Sequence, residues 1–398
     1  MRLGRNGWSL CVAGLALCAA ACSSGGGGSG SKVSSAGTSS GGQNDGVGVI
    51  GGLGTPAGAG SGSGPVQGDS LTFTLLPDNA AVSGAFSTVE VLTEDLQWPT
   101  KIALAENDAY VVLMTEGLGR LPKGGGAFEA LVTEGVDDAV VADGSIYWEQ
   151  SDDIWQASSD TFSNPHSLFT QGTPALAISG QRLFVVPYDT LGISSLAAID
   201  LQTKAAELVA GPLGQAAHIV ANAHYVFASF SVQEESQGLI FVHGVAKAWA
   251  IPDWTETTLF PTSGAAMVPN EDYLYTNGGG YAGVIRFPAG AAGIGQGEIV
   301  SRDVGGAIGV DDENVYILTQ GPLPCDAGGT LSAVPKSGGQ PRILVTDLFC
   351  PRALAVDQSG IYWLELTNGV NGPTPTGRLS AIRRVASGDA GALQADAG

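Results

Sequence analysis

Four residues with side-chain oxygens recur at one place in the chain's internal spacing: Asn222, Asn270, Asp311 and Asp357. Carboxylates and carboxamides that converge on one point can bind a divalent cation, whose ligands are oxygens at about 2.3–2.6 Å. The same residue types also start turns, because their side-chain oxygen accepts a hydrogen bond from their own backbone two residues on. Both readings are open. Cys325 and Cys350 are expected to pair as a disulfide if the chain reaches an oxidising compartment. Trp249 and Trp254 fall outside the repeat described below and are expected to form an exposed binding platform.

Other chemistry is scarce. The four histidines, His166, His218, His224 and His243, show none of the spacings of a zinc site. His218 and His224 flank one strand–turn–strand segment and read as structural. There is no Gly-x-Ser-x-Gly nucleophile elbow, and the glycine-rich stretches lack the Lys-Ser/Thr ending of a phosphate loop. The pairs Asp137-Asp138 and Asp152-Asp153, and the run Asp311-Asp312-Glu313, lack the alternating spacing of a calcium loop and read as solvated turns. No catalytic residue and no cofactor is predicted, with a divalent cation left open.

The N-terminus has the layout of an export signal: Arg2 and Arg5, an apolar run from Trp8 to Leu17, then Ala19-Ala20-Ala21 before Cys22. The apolar run is too short to span a bilayer. These residues resemble the lipobox of bacterial lipoproteins, with Ala19 standing where leucine is commonest. The resemblance implies cleavage after residue 21, a diacylglycerol on Cys22 and, with Ser23 next, sorting to the outer membrane. Residues 22–68 are Gly, Ser, Ala and Thr with few large apolar side chains, the composition of a disordered tether. A tail at 387–398 has the same character.

Positive charge is the minority. Against 17 basic residues stand 38 acidic ones, a net charge of −21, which repels phosphate backbones and excludes nucleic acid as a partner.

Residues 69–386 repeat. An aromatic in a short β-type run follows a loop position by five residues, at Tyr110, Tyr147, Phe184, Phe227, Tyr275, Tyr316 and Tyr362; the steps run from 37 to 48 residues, with a mean of 42. That period fits a four-stranded propeller blade. The sixth copy shows all four strands, Ala307–Val310, Asn314–Thr319, Leu331–Pro335 and Arg342–Thr346, with a Lys-Ser-Gly-Gly turn before the last. The last copy lacks a fourth strand, while Val91–Asp95 precedes the first and matches Ile343–Asp347, each followed by Leu-x-x-Pro. The fold predicted is all-β: a seven-bladed propeller closed by an N-terminal strand that completes the last blade. Six or eight blades stay open, because the copy around residues 217–260 is the most degenerate.

Ile146-Tyr147-Trp148 and Ile361-Tyr362-Trp363 resemble the YWTD-type propeller repeats of receptor ectodomains and of uncharacterised repeat lipoproteins. The likeness implies the fold and no activity, since propellers host many functions. The function expected is a non-catalytic binding or scaffold lipoprotein of the cell envelope, membrane-held, with an unknown protein or glycan ligand at one mouth of the ring. The alternative is a metal-dependent enzyme, resembling propeller lactonases or lyases, with its ion in the central channel between Asn222, Asn270, Asp311 and Asp357.

Overall fold

The computed structural model describes residues 47–49 and 72–385, apart from 78–79, 171–174, 189–192, 237–238, 261–265, 278–282, 304, 322–324, 326 and 369–374. The predicted signal peptide, Cys22, most of the tether and the tail lie outside the described residues. Within the tether stretch, Val47–Val49 pairs antiparallel with Thr72–Thr74.

Among the described residues every regular element is a β-strand, and the strands fall into seven sheets whose blade strands pair antiparallel. Blade one is Pro99–Leu104, Asp108–Leu113, Gly117–Pro122 and Glu129–Val132. Blade two is Val136–Ala142, Ser145–Gln150, Asp153–Ser158 and His166–Thr170. Blade three is Leu176–Ser179, Arg182–Val185, Ser194–Asp200 and Ala206–Leu213. The degenerate fourth copy is a full blade, Gln215–Ala221, Tyr225–Ser236, Leu239–Ala250 and Glu256–Phe260, whose central hairpin pairs through to Ser236 and Leu239. Blade five is Met267–Pro269, Tyr273–Thr276, Val284–Gly290 and Glu298–Ser301. Blade six is Ala307–Val310, Asn314–Thr319, Gly329–Pro335 and Arg342–Leu348. Blade seven is Pro351–Val356, Gly360–Leu366 and Thr376–Val385, and its outer strand comes from the other end of the chain, Glu90–Gln97. The predicted closure therefore holds: this is a seven-bladed β-propeller.

Two observations close the circle. The first strands of all seven blades touch in sequence, including blade seven against blade one, so they line the centre. Among the described residues there are also seven buried apolar clusters, each shared by two neighbouring blades; an open array of seven would have six. The repeating aromatics explain them. Each sits on a second strand, is at most 3% exposed, and enters the cluster between its own blade and the next. Side chains alternate across a strand, so Trp148 and Trp363, one residue on, enter the clusters behind their blades.

The antiparallel order gives the ring two faces. One carries the turns between first and second and between third and fourth strands; we call it the turn face. The other, the connector face, carries the second-to-third loops and the blade-to-blade links. The disulfide Cys325–Cys350 is present, with an S–S distance of 2.02 Å. It ties the second-to-third loop of blade six to the link into blade seven, on the connector face.

The chain ahead of the closure strand is also built into the body. Thr72–Leu75 adds a parallel strand to Glu298–Ser301 of blade five. Ala80 bridges to Gly339 of blade six, Arg342 Nη1 donates to Gly84 O, and Phe86 meets the Tyr316 ring edge-on at 6.2 Å. The segment is a strap over blades five to seven. Gly338 shows the local requirement: it has φ +86°, and a Cβ there would lie 2.5 Å from the Leu76 side chain. The Lys-Ser-Gly-Gly turn thus ends in glycine both for its backbone conformation and to let the strap pass.

Candidate functional site

Asn222, Asn270, Asp311 and Asp357 all stand where a first strand ends on the turn face. In each, Oδ1 accepts from two backbone amides of its own turn: His224 and Tyr225 at 2.9 and 2.8 Å, Asp272 and Tyr273 at 3.1 and 2.8 Å, Glu313 and Asn314 at 2.7 and 2.6 Å, Ser359 and Gly360 at 2.8 and 3.2 Å. Three of them also latch the next blade. Asn222 Nδ2 donates to Ala289 O at 3.0 Å, Asp311 Oδ2 pairs with Arg384, and Asp357 Oδ2 pairs with Lys123. Asn222 meets a carbonyl of the next blade, and the two aspartates each meet a cation. Among the described residues, no group of three or more His, Cys, Asp or Glu side chains is placed to hold a metal ion.

The tryptophan pair is separated by burial. Trp249 is 1% exposed and lies in the cluster between blades three and four, with Nε1 donating to Glu256 at 3.2 Å, so it presents no surface to a partner. Trp254 is half-buried, with Nε1 on Glu207 at 2.9 Å and the Arg182 guanidinium 5.2 Å from its ring centre. Trp249 departs from the repeat in sequence, yet its strand alternates side chains like any other and turns it inward.

A different set of residues marks the centre of the ring. Nine positions before each repeating aromatic, on the first strand or just ahead of it, stand Lys101, Asp138, Ala175, His218, Ala266, Ala307 and Ala353. These positions lie towards the connector-face end of the ring. Four blades place alanine there, and blades one, two and four place an ammonium, a carboxylate and an imidazole. Lys101 Nζ lies 2.8 Å from Asp138 Oδ1, and the same carboxylate accepts from Ala139 N at 2.8 Å and from Leu176 N of blade three at 2.9 Å. Asp138 is 5% exposed. It is therefore a fixed anchor that holds the lysine, and the reading of Asp137-Asp138 as a solvated turn is corrected for the second residue.

His218 faces this pair. Burial depresses its pKa first, the Lys101 charge lowers it further, and Asp138 opposes both, so the ring is neutral at pH 7. Among the described residues that ring makes no hydrogen bond. It keeps a donor and an acceptor nitrogen for something else.

Behind the arc lies a second carboxyl group. Glu149 is 4% exposed and accepts from the Asp152 and Asp137 amides at 3.1 and 3.3 Å. Burial, and then the charge of Asp137, push it up to about 7. Asp137 is itself raised by burial, against the pull of Lys101. Towards the turn face the centre turns aliphatic: a cavity of about 300 Å³ is lined by Leu104, Val268, Ile308, Val310, Leu354 and Val356. Together these features form an amphipathic seat, polar on three blades and apolar elsewhere.

The arc is readable in the sequence by aligning the copies on their aromatics and reading down the ninth position before each. Taken singly, a lysine, half of an acidic pair and a lone histidine have no signature.

The fold and this mouth define the chain as a seven-bladed propeller with a polar site on one face. No protein-family model and no curated protein matches the sequence. Among solved structures, it is similar to the Pyrococcus horikoshii acylaminoacyl peptidase, at 11% identity and TM-score 0.50, over 75% of this chain and 54% of that one. The computationally designed Ika8 protein aligns at 12% identity and TM-score 0.47, over 74% and 98% of the two chains. The N-terminal domain of Nup159 does so at 10% and 0.41, over 78% and 98%. At such identities the likeness is one of fold alone.

Proposed function

We propose that the protein is a lipid-anchored binding protein of the cell envelope, non-catalytic, that seats the terminus of a glycan in the connector-face mouth. One observation carries the reading: three polar groups, one of them an unbonded imidazole, replace alanine at a position that four blades keep apolar. The ammonium and the imidazole supply donors and an acceptor for hydroxyl groups, and the alanine side suits the apolar face of a sugar ring. Anchoring rests on the Arg2–Cys22 signal and on the long small-residue stretch behind it.

The mouth is tested by titrating the full chain with a panel of soluble oligosaccharides, beside Lys101→Met and His218→Ala. At least one sugar is expected to bind, and each variant to weaken it about tenfold, the effect of losing roughly one hydrogen bond to a charged or polar group. A sugar that binds the variants as well as the parent would remove the mouth from the interaction. Anchoring is tested by metabolic labelling with a fatty acid in a bacterium with an outer membrane. Label is expected on the parent chain in that membrane and lost in Cys22→Ser, and label retained by the variant would refute it.

A further inference from the structure

A sugar alone does not account for the aliphatic cavity at the centre of the ring. Its volume is about 300 Å³, and every residue that lines it is apolar, from Leu104 of blade one through Val268 of blade five and Ile308 and Val310 of blade six to Leu354 and Val356 of blade seven. Val310, Leu354 and Val356 are only half-buried, although they stand on the strands that line the centre. Slack packing is not the cause. A Cβ on Gly309 would lie 2.5 Å from the Val356 side chain, so blades six and seven are already in close contact and form a closed wall. Apolar cavities stay dry and take apolar molecules, because wall atoms that face no neighbour gain dispersion contacts when one enters.

The cavity and the polar arc are two ends of one seat. The cavity walls come from blades one, five, six and seven, and the arc from blades one, two and four. Ala307 and Ala353 adjoin Ile308 and Leu354 on the same strands, so at the mouth end of this wall the side chains are methyl groups. Asp311 and Asp357 follow Val310 and Val356 directly, so the aliphatic stretch ends where the first strands do. From Ala307 to Val310 is about 10 Å of strand, the length of roughly eight carbons in an extended chain. We infer that the glycan terminus seated in the mouth carries an aliphatic chain, which runs from the arc into this cavity. The ligand class is a glycoside with an alkyl or acyl chain, of which roughly eight carbons lie inside the ring. The inference rests on the reading of the mouth as a glycan seat and adds the half of the ligand that a soluble oligosaccharide lacks.

The test is calorimetric titration of the full chain with methyl, butyl, hexyl, octyl and dodecyl β-maltosides, each below the concentration at which it forms micelles, and with hexanol and octanol. Affinity is expected to rise about fourfold with each methylene from butyl to octyl, roughly two-hundredfold in all, and to level off by dodecyl. Val268→Phe and Val310→Phe each place a ring in the cavity and should flatten the series. Lys101→Met should weaken every maltoside alike and keep the slope. The two filled variants lie on different blades, and the series on the parent needs no variant, so one that fails to fold leaves the test intact. Methyl and octyl maltosides that bind equally would overturn the inference and leave the sugar reading standing. Alkanols that bind as tightly as the maltosides, with Lys101→Met indistinguishable from the parent, would instead strike the sugar reading and uphold the cavity as a site for the chain. A rise that continues undiminished to dodecyl, or that survives in both filled variants, would mark attachment elsewhere on the surface and overturn the inference. No binding by any member overturns both.

Discussion

A chain begun at Pro99 is expected to give no cooperative monomeric fold, whereas one begun at Thr72 keeps it. The shorter chain loses the outer strand of blade seven, Glu90–Gln97, and with it Leu92 and Leu96, which are 8% and 3% exposed between blades seven and one. Restoring two such leucines to water costs about 1.5–3 kcal/mol each. The Arg383–Glu90 pair at 3.1 Å and the Phe86–Tyr316 contact go as well. The larger loss is topological. Thr376–Val385 becomes an unpaired ten-residue edge, a template for association with other chains. A total of this size is comparable with the roughly 5–15 kcal/mol that holds a domain folded. Sedimentation and thermal melts of the two chains decide the matter. A Pro99 chain that stays monomeric and melts cooperatively within a few degrees of the longer one would show that six and three-quarter blades close without the strand.

Closure is legible in the sequence because it leaves two independent marks, a missing fourth strand at one end and a matching surplus at the other. The aromatic spacing is legible because each aromatic faces the next blade at the same height, so the selection acting on it repeats with the blade. The disulfide follows from there being only two cysteines in the folded body. Other features leave no such marks. The strap from Thr72 to Phe86 has no copy to compare with, and its pairing with blade five is made through backbone atoms, to which side-chain types are indifferent. Trp249 misleads because distance from the repeat is not exposure. The Asp138 anchor is hidden in a pair of which only the second member is shut off from solvent, a difference set by strand alternation once the register is known.

The turn-face Asn and Asp residues teach the reverse point. Their recurrence is real and has a cause, but the cause lies in turn capping and blade-to-blade latching. Asp311 and Asp357 have lowered pKa values although burial pushes them up, because Tyr316 and Arg384 hold the first and Lys123 and Ser359 the second. Their contribution to stability is complete above the ordinary carboxylate range and is lost only as the pH falls through their depressed values. The ring is thus fastened on one face by groups that stay charged across the neutral range. The opposite face holds the groups whose charge is in play.

Glu149 is expected to withdraw stability from the fold between pH 4.5 and pH 7, while His218, whose pKa burial lowers, adds some in the upper part of the same range. The Glu149 pKa stands at about 7 in the fold against 4.5 in the open chain. Below pH 4.5 the carboxyl is protonated in both states and costs nothing. As the pH rises, the unfolded chain releases the proton first and gains on the folded one, until the folded carboxyl ionises near pH 7. At about 1.4 kcal/mol for each pH unit between the two values, the loss is about 3 kcal/mol, all of it inside that window. The charged groups that face Glu149 are Asp137 and Asp152, with Lys101 acting on Asp137, and both aspartates work in the same direction. Glu149→Gln removes the titration but leaves one of the two backbone amides, Asp137 or Asp152, without an oxygen acceptor, a cost of about 1–2 kcal/mol at every pH. The variant is therefore expected to be the less stable chain at pH 5 and the equal or more stable one at pH 8. The gap between the two should move by about 2–3 kcal/mol, read from denaturant midpoints at the two pH values. A gap that does not change with pH would mean that Glu149 is ionised throughout and that the mouth carries one more negative charge than its burial implies.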